Sequence, residues 1–301
     1  MTGMLFMRFT LAHLSDPHLA PLPQPTWREL LGKRATGYFN WQRRRRFIHD
    51  PAVLAKIVAD MRAQAPDHIA VTGDIANIAI AAEFSRGRDW LDGLGAPRDV
   101  SYVPGNHDIY VPEAAGFAAR QWGAQMSDDE GVGGFPYLRR RGPLALVGLS
   151  SGVPTAPFLA TGWLGPRQLA GLAETLVKLA REDVFRIVLI HHPPVTQAAR
   201  HKHLLDAPVL KRVIAAHGAD LLIHGHDHLH MLNWLDGPRG SKVPAVGVPS
   251  ASAAPGTSKH AAAYNLYRIG GVPRAWNCEM ISRGITANGE VVEQKRVILA
   301  G

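Results

Sequence analysis

The stretch YVPGNHDIY, residues 102–110, places an amide, an imidazole and a carboxylate directly after an apolar run and a Pro-Gly turn. The apolar residues 100–103 predict a short buried strand. In open α/β sheets, ligand sites are usually built at the carboxyl ends of the strands. The stretch therefore predicts a binding site at this strand end, formed by Asn106, His107 and Asp108.

Four further predicted strands, residues 9–14, 68–72, 185–190 and 221–224, end in polar residues of the same kind. Together, the five strand ends offer seven candidate ligands: Asp16, His18, Asp74, Asn106, His191, His226 and His228. Carboxylate, imidazole and amide donors suit Mn²⁺, Fe or Zn²⁺, and this number of ligands fits two ions better than one. The sequence therefore predicts two divalent metal ions as cofactors. His192 is an alternative to its neighbour His191, although the H-x-P spacing favours His191.

The order of these motifs along the chain identifies a family. The series D-x-H, G-D-x-x-N, G-N-H-D, H-x-P and G-H-x-H resembles the calcineurin-like metallophosphoesterase superfamily, over residues 16–228. The resemblance implies that one ion takes Asp16, His18 and His228, and the other Asn106, His191 and His226. It further implies that Asp74 bridges both ions and that a metal-bridging hydroxide is the nucleophile. We expect the open coordination positions to bind a phosphoryl anion.

Two residues of the opening stretch take catalytic roles on the same resemblance. His107 is expected to face the departing oxygen, as a general acid or a transition-state stabiliser. Asp108 is expected to orient the His107 imidazole from behind, as a carboxylate often does.

The predicted elements are α/β first and strands only at the end. Helices are predicted over residues 51–64, 165–181 and 208–217, and the basic run 139–141 is predicted to be a turn. One more strand is predicted over residues 144–149, and five follow His230, over residues 231–235, 243–248, 263–269, 274–281 and 290–298. The resemblance implies an α/β fold, a four-layer α-β-β-α sandwich with two mixed β-sheets, in a single domain spanning residues 1–301.

Departures from related families narrow the substrate. The Ser/Thr protein phosphatases of this superfamily have an Arg in the second motif and G-N-H-E in the third, whereas this chain has GDIAN and GNHD. The pattern is closer to class III cyclic nucleotide phosphodiesterases and to glycerophosphodiesterases. We therefore expect a metal-dependent phosphodiesterase, with a lipid-linked pyrophosphatase of the UDP-2,3-diacylglucosamine hydrolase type as the alternative. A nuclease fits less well, because no stacking platform for nucleic acid is evident outside residues 20–49. A non-catalytic scaffold should have lost ligands, and all seven positions are filled.

Residues 20–49 look like an insertion between the first strand and the first secure helix. Within residues 27–47, aromatic side chains alternate with Lys and Arg and end in RRRRF. Such a composition suits a segment that docks on an anionic membrane surface. A lid over the substrate entrance, a contact in a homodimer and a solvated charged face are the other interpretations.

Composition gives coarser limits. The 301 residues carry a formal net charge of +8, which favours anionic partners, and a single cysteine, Cys278, which has no partner for an internal disulfide. No apolar run approaches the roughly 18 residues of a membrane span. The first residues run into the first strand without the features of a signal peptide, so we expect a cytoplasmic protein, with peripheral attachment to the inner membrane as a further possibility.

Overall fold

The computed structural model describes residues 7–272 and 275–300. Its first sheet has six strands in the order β12-β11-β10-β1-β2-β3. These strands are β1 (Met7–Leu14), β2 (His68–Val71), β3 (Val100–Tyr102), β10 (Ala263–Val272), β11 (Ala275–Ile285) and β12 (Val291–Ala300). β1 pairs in parallel with β2 and antiparallel with β10, so the sheet is mixed.

The second sheet also has six strands, in the order β4-β5-β6-β7-β9-β8. They are β4 (Tyr137–Arg141), β5 (Leu144–Gly148), β6 (Phe185–Leu189), β7 (Leu221–His224), β8 (Met231–Asp236) and β9 (Lys242–Gly247). The central pairs β5-β6, β6-β7 and β7-β9 are parallel, whereas both edge strands pair antiparallel. Mixed sheets of this kind arise when parallel α/β units acquire hairpins at their edges.

The described part of the chain has six α-helices: α1 (Lys33–Arg43), α2 (Pro51–Ala63), α3 (Ala81–Leu94), α4 (Ala114–Trp122), α5 (Gly165–Leu179) and α6 (Ala207–His217). The start of α2 follows from local chemistry, because the Asp50 carboxylate accepts a hydrogen bond from the backbone N–H of Ala52 and Pro51 takes the first helical position. In α5, four buried leucines form one apolar stripe facing the second sheet.

Three apolar clusters fill the spaces between four layers. One lies between the first sheet and α2, α3 and α4, and contains Ile57, Phe84 and Trp122. A second lies between the second sheet and α5 and α6. The third joins the two sheets, through residues such as Leu11 and Phe185. The predicted α-β-β-α sandwich with two mixed sheets is therefore confirmed.

Several local predictions need correction. The run 139–141 is part of strand β4 rather than a turn, because β4 pairs with β5 and the buried Arg139 guanidinium donates to backbone carbonyls of Ser127 and Val100. The helices α1, α3 and α4 were not predicted, and α1 lies inside the insertion. The sequence predicts a strand at the start of the chain, and part of this prediction falls on residues 1–6, which lie outside the described residues. The predicted first residue of another strand, residue 274, also lies outside them. Among the helices of the described ranges, none is long and apolar enough to span a bilayer.

Candidate metal centre

The strand ends of both sheets bring the seven predicted ligands to one place. Asp16 and His18 follow β1, Asp74 follows β2, and Asn106 follows β3. From the second sheet, His191 follows β6, and His226 and His228 follow β7. The two sheets face each other, so their carboxyl ends form one edge of the sandwich where side chains from both can meet.

A first group consists of Asp16, His18 and His228, whose potential ligand atoms all lie within 4.8 Å of one another. The Asp16 Oδ1 lies 3.1 Å from His228 Nε2 and 4.0 Å from His18 Nε2. The other oxygen, Oδ2, accepts hydrogen bonds from the Ser15 hydroxyl at 2.6 Å and the His226 backbone N–H at 3.0 Å. The carboxylate is therefore held with one oxygen directed at the two imidazoles.

A second group surrounds the Nε2 atom of His191. Asp74 Oδ2, Asn106 Oδ1 and His226 Nδ1 each lie 3.3 Å from this nitrogen. The same Asp74 oxygen lies 3.9 Å from His18 Nε2 in the first group. Asp74 Oδ2 thus occupies a position between the two groups, as a bridging ligand would. His191 and Asp74 also form a second three-residue cluster with Asp16.

Backbone carbonyls orient three of the imidazoles toward the centre. His18 Nδ1 faces Ala76 O at 3.2 Å, His191 Nδ1 faces Thr72 O at 2.6 Å, and His226 Nε2 faces Lys202 O at 3.0 Å. Because a carbonyl only accepts, His191 Nδ1 and His226 Nε2 carry the protons, and the opposite nitrogen of each of these two rings is left to bind a metal. His18 Nδ1 lies closer still to the Arg45 guanidinium, at 2.7 Å, and a guanidinium only donates. His18 Nε2 is buried without a hydrogen-bond partner among the described residues. The donor set therefore fits divalent ions.

Charge at the centre also favours cations. Burial disfavours a charged imidazole, yet Asp74 and Asp16 beside His191 outweigh it and raise the pKa of His191 to about 10. A proton on this ring thus balances the carboxylates when no cation does.

His192 makes different contacts, because its Nδ1 bonds the Ser151 hydroxyl and its Nε2 faces Ala160 O. The geometry favours His191 over His192 as the ligand.

The backbone of the ligand loops is strained. Five of the nine non-glycine residues with positive φ in the described residues are predicted ligands: Asp16, His18, Asp74, His226 and His228. Each such residue costs of order 1–3 kcal/mol and persists only where its surroundings hold it. A Cβ at Gly105 would overlap the Asp74 carboxylate, so the Pro-Gly turn before Asn106 requires glycine for this close approach.

His107 lies beside the centre, with its ring 5.1 Å from that of His18, and its partners differ from the prediction. Its Nδ1 faces Asn77 O at 2.6 Å, and its backbone N–H donates to Asp74 Oδ1 at 2.8 Å. Asp108 points elsewhere: its carboxylate accepts from the backbone N–H groups of Asp74, Ala76 and Gly105 and from the Tyr102 hydroxyl. The predicted orientation of His107 by Asp108 is therefore wrong. Asp108 instead ties together the two loops that carry Asp74 and Asn106, because buried backbone donors there need an acceptor.

Sequence reasoning missed two cations that the insertion delivers to the centre. After α1, the Arg45 guanidinium lies 2.7 Å from His18 Nδ1 and 2.9 Å from His107 Nε2. The Lys33 ammonium lies 4.1 Å from the centre of the Tyr110 ring, which stacks on His107. The four arginines 43–46 are alike in sequence, and it is the direction of the Arg45 side chain, toward His18 and His107, that separates it from Arg46, which bonds Gln42.

The segment GVPSASA, residues 247–253, contacts the first ligand group and its neighbour His49. Its small residues allow close contact, and the Ser250 hydroxyl donates to Asp16 O at 2.6 Å. Ser252 bonds His49 at 2.9 Å, and the His49 ring lies 4.5 Å from the His18 ring. His49 is thus a buried neighbour of the centre that the motif pattern did not identify.

Comparison with known proteins agrees with this geometry. The family model for calcineurin-like phosphoesterases matches residues 9–230. A probable cyclic nucleotide phosphodiesterase of Synechococcus sp. is 26% identical over 226 residues, which cover 74% of each chain. The fold is similar to a dimetal phosphatase from Danio rerio, with a TM-score of 0.64 and 16% identity over 97% of this chain and 98% of that one. A purple acid phosphatase from yellow lupin (Lupinus luteus) has a TM-score of 0.56 and 12% identity over 97% of this chain and 54% of that one. With this match over most of its length and the predicted ligands gathered at one edge of the fold, the chain belongs to the calcineurin-like phosphoesterase family.

Proposed function

We propose that this protein is a dinuclear metal-dependent phosphodiesterase acting on a cyclic nucleotide or a glycerophosphodiester. The observation that carries this proposal is the convergence on His191 Nε2, where three ligands from both sheets lie at 3.3 Å. The named activity of the Synechococcus relative supports the phosphodiester class. The residues GDIAN and GNHD, which differ from those of protein phosphatases, support it as well.

Each proposed ligand has a defined task. Asp16, His18 and His228 would hold one ion, and Asn106, His191 and His226 the other, with Asp74 Oδ2 between them. Two such ions supply activation of water and neutralisation of the phosphoryl oxygens. The chain itself orients the ligands through Ala76, Thr72 and Lys202 carbonyls. His107 faces the same space and would stabilise the departing oxygen.

The experiment is a comparison of diester and monoester turnover. The purified protein would be assayed with Mn²⁺, Fe²⁺ or Zn²⁺ on bis(p-nitrophenyl) phosphate, p-nitrophenyl phosphate and cyclic AMP. We expect metal-dependent hydrolysis with a higher kcat/KM for the diester than for the monoester. A preference for the monoester would contradict the proposal, because it would make the protein a phosphatase rather than a phosphodiesterase.

A second candidate is hydrolysis of a lipid-linked pyrophosphate at an anionic membrane. The outer face of the insertion exposes four large apolar side chains, Trp27 (71%), Leu31 (67%), Phe39 (58%) and Phe47 (64%). Arg28, Arg43 and Arg46 cover three of these rings, at 5.2, 4.5 and 4.6 Å from the ring centres. Exposed rings beside cations fit the boundary between anionic headgroups and acyl chains.

This second candidate is tested by binding to vesicles. Replacing Trp27 and Phe39 by Ser should lower binding to vesicles of phosphatidylglycerol and phosphatidylcholine, with little change on phosphatidylcholine alone. The same variant should lose turnover of UDP-2,3-diacylglucosamine in mixed vesicles but keep turnover of bis(p-nitrophenyl) phosphate. Equal vesicle binding before and after the change would contradict docking through this face.

A further inference from the structure

His49, the last residue of the insertion, is a buried histidine to which the proposed function gives no task. Its ring lies 4.5 Å from the His18 ring and 6.1 Å from the His228 ring, measured between ring centres. These two rings are the imidazoles of the first ligand group. His49 therefore lies against both histidines that would hold the first ion.

The surrounding chain fixes the position of His49 from two sides. His49 forms an isolated antiparallel bridge with Ala253, and the backbone N–H of Ala254 donates to Ile48 O at 2.8 Å. On the side of α1, the Trp41 ring lies parallel to the imidazole, with 6.3 Å between the ring centres and 5° between the planes. A side chain held by backbone pairing and by a stacked ring is oriented before any ligand arrives.

Hydrogen bonding determines which nitrogen of the His49 ring carries the proton. Nδ1 lies 2.9 Å from Ser252 Oγ. The Ser250 hydroxyl donates to Asp16 O at 2.6 Å, so its oxygen can only accept from Ser252, at the longer distance of 3.4 Å. The shorter contact is the better place for the Ser252 proton. We therefore assign the acceptor role to Nδ1 of His49 and the proton to Nε2.

The Nε2 N–H of His49 has no acceptor in the part of the chain that the structure describes. This nitrogen is not one of the atoms that are buried without a partner, as His18 Nε2 and His228 Nδ1 are, so solvent reaches it. His49 also belongs to neither cluster of potential metal ligands among the described residues. A fixed donor that lies outside the ligand groups but beside a cationic centre is suited to an anionic oxygen.

We propose that His49 is a further substrate-binding residue, whose Nε2 N–H donates to an oxygen of the phosphoryl group held beside His18 and His228. This inference rests on the proposed metal-dependent hydrolysis and adds a residue to its site. A single neutral donor fits a diester, whose two non-bridging oxygens share one negative charge. The insertion thereby contributes to binding of the phosphoryl group through its last residue.

The test separates binding of the metal from binding of the anion. Calorimetry would give the Kd of Mn²⁺, and then the Kd of inorganic phosphate for the Mn²⁺-loaded protein, in the unaltered chain and in His49→Phe. The phenyl ring keeps an aromatic side chain against Trp41 but removes the donor. We expect phosphate binding to weaken about tenfold or more and Mn²⁺ binding to change no more than about threefold.

Three further variants assign the effect to Nε2. His49→Gln offers an amide N–H in place of Nε2 and should recover part of the lost phosphate affinity, so it decides the question if His49→Phe does not fold. Ser252→Ala keeps Nε2 and removes only the bond that sets its proton, so phosphate binding should weaken no more than about threefold. His217→Phe is the matched control and should change neither constant, because this half-buried histidine ends α6, before β7, whereas the ligands follow β7.

Three results would overturn this role of His49. The first is unchanged phosphate binding in His49→Phe, and the second is equal weakening of Mn²⁺ and phosphate, which would show that His49 only holds the ligands. The third is a loss in Ser252→Ala as large as in His49→Phe, which would assign the effect to the bond between the two segments. Turnover of bis(p-nitrophenyl) phosphate by the unaltered protein tests the proposed function separately. Its absence contradicts that function, whereas the binding constants still decide the role of His49.

Discussion

The backbone N–H of His107 donates to Oδ1 of Asp74 over 2.8 Å, so the proposed catalytic residue and the proposed bridging ligand hold each other. This bond occupies one oxygen of the carboxylate and leaves Oδ2 directed at His191 and His18. The third motif therefore determines which oxygen of the second motif faces the ions.

Asp74→Asn should abolish metal-dependent turnover while the protein stays folded. The amide keeps the shape of the side chain but removes the charge that a bridging ligand contributes. We expect kcat/KM for bis(p-nitrophenyl) phosphate to fall by about 10³-fold or more, in line with losses of groups that act only together with the ions. Circular dichroism would check folding, and unchanged turnover would refute the bridging role.

His107→Ala should slow substrates according to their leaving groups. An alkyl ester leaves as a strongly basic oxygen that needs stabilisation, whereas p-nitrophenolate needs little. The measurement is kcat/KM for a series of methyl phosphodiesters that differ in the leaving group. We expect kcat/KM to fall by about 10²- to 10⁴-fold for the ester with the poorest leaving group, and by much less for the p-nitrophenyl ester. A loss of equal size across the series would remove His107 from leaving-group stabilisation.

Asp108→Asn should weaken metal binding without changing the leaving-group dependence. The new amide nitrogen would face backbone donors of Asp74, Ala76 or Gly105 that the carboxylate now satisfies. Loosening these loops should lower metal affinity by roughly 10- to 100-fold. Calorimetric Mn²⁺ titration measures this, and Tyr102→Phe, which removes one donor to the same carboxylate, should give a smaller effect. A changed leaving-group dependence like that of His107→Ala would favour the original prediction for Asp108.

Asp60 should make part of the free energy of unfolding depend on pH. Burial opposes its charge, but hydrogen bonds from Arg283 and Tyr264 outweigh this and lower the pKa of Asp60 below 3.8. Its contribution is therefore complete above the unfolded-state pKa and is lost as the pH falls through the folded-state pKa. Asp60→Asn should cost about 1–2 kcal/mol at pH 7 in the free energy of unfolding, less at high salt.

Urea unfolding between pH 7 and pH 3 measures this contribution. The difference in the free energy of unfolding between the unaltered protein and Asp60→Asn should become smaller below about pH 4. The control is Asp236→Asn, since Asp236 forms an exposed pair with Lys242 and this substitution should leave stability unchanged. A gap that is constant with pH would show that Asp60 acts through packing alone.

The success of sequence reasoning here depended on how local each signal was. The fold and family are confirmed, because strand periodicity and the motif residues that follow each strand are short-range features. The same reasoning found the seven ligands, whose roles remain proposals. Asp108 was assigned to the wrong partner, because adjacency to His107 says nothing about side-chain direction after a tight turn. Its carboxylate turns toward the backbone of a neighbouring strand end instead.

Other features depended on long-range packing. Arg45 was indistinguishable from Arg44 and Arg46 in sequence, and only the docking of the insertion against the strand ends turns it inward. Helix α3 was missed because its buried face includes a carboxylate, Glu83, which accepts from the backbone N–H groups of Asn77, Ile78 and Ile80. An acidic residue in that position weakens the apolar pattern on which helix prediction relies.

The pairing of β10 with β1 bears on how the protein could be trimmed. The family match ends at residue 230, but β10 supplies the antiparallel neighbour of the strand that carries Asp16 and His18. A recombinant fragment stopped at residue 230 would leave one edge of β1 open to pairing with other chains, and such edges promote aggregation. Proteolysis between β9 and β10 with loss of the tail should therefore precipitate the remainder. The last three strands, although outside the matched region, therefore cover the edge of β1 next to the candidate metal centre.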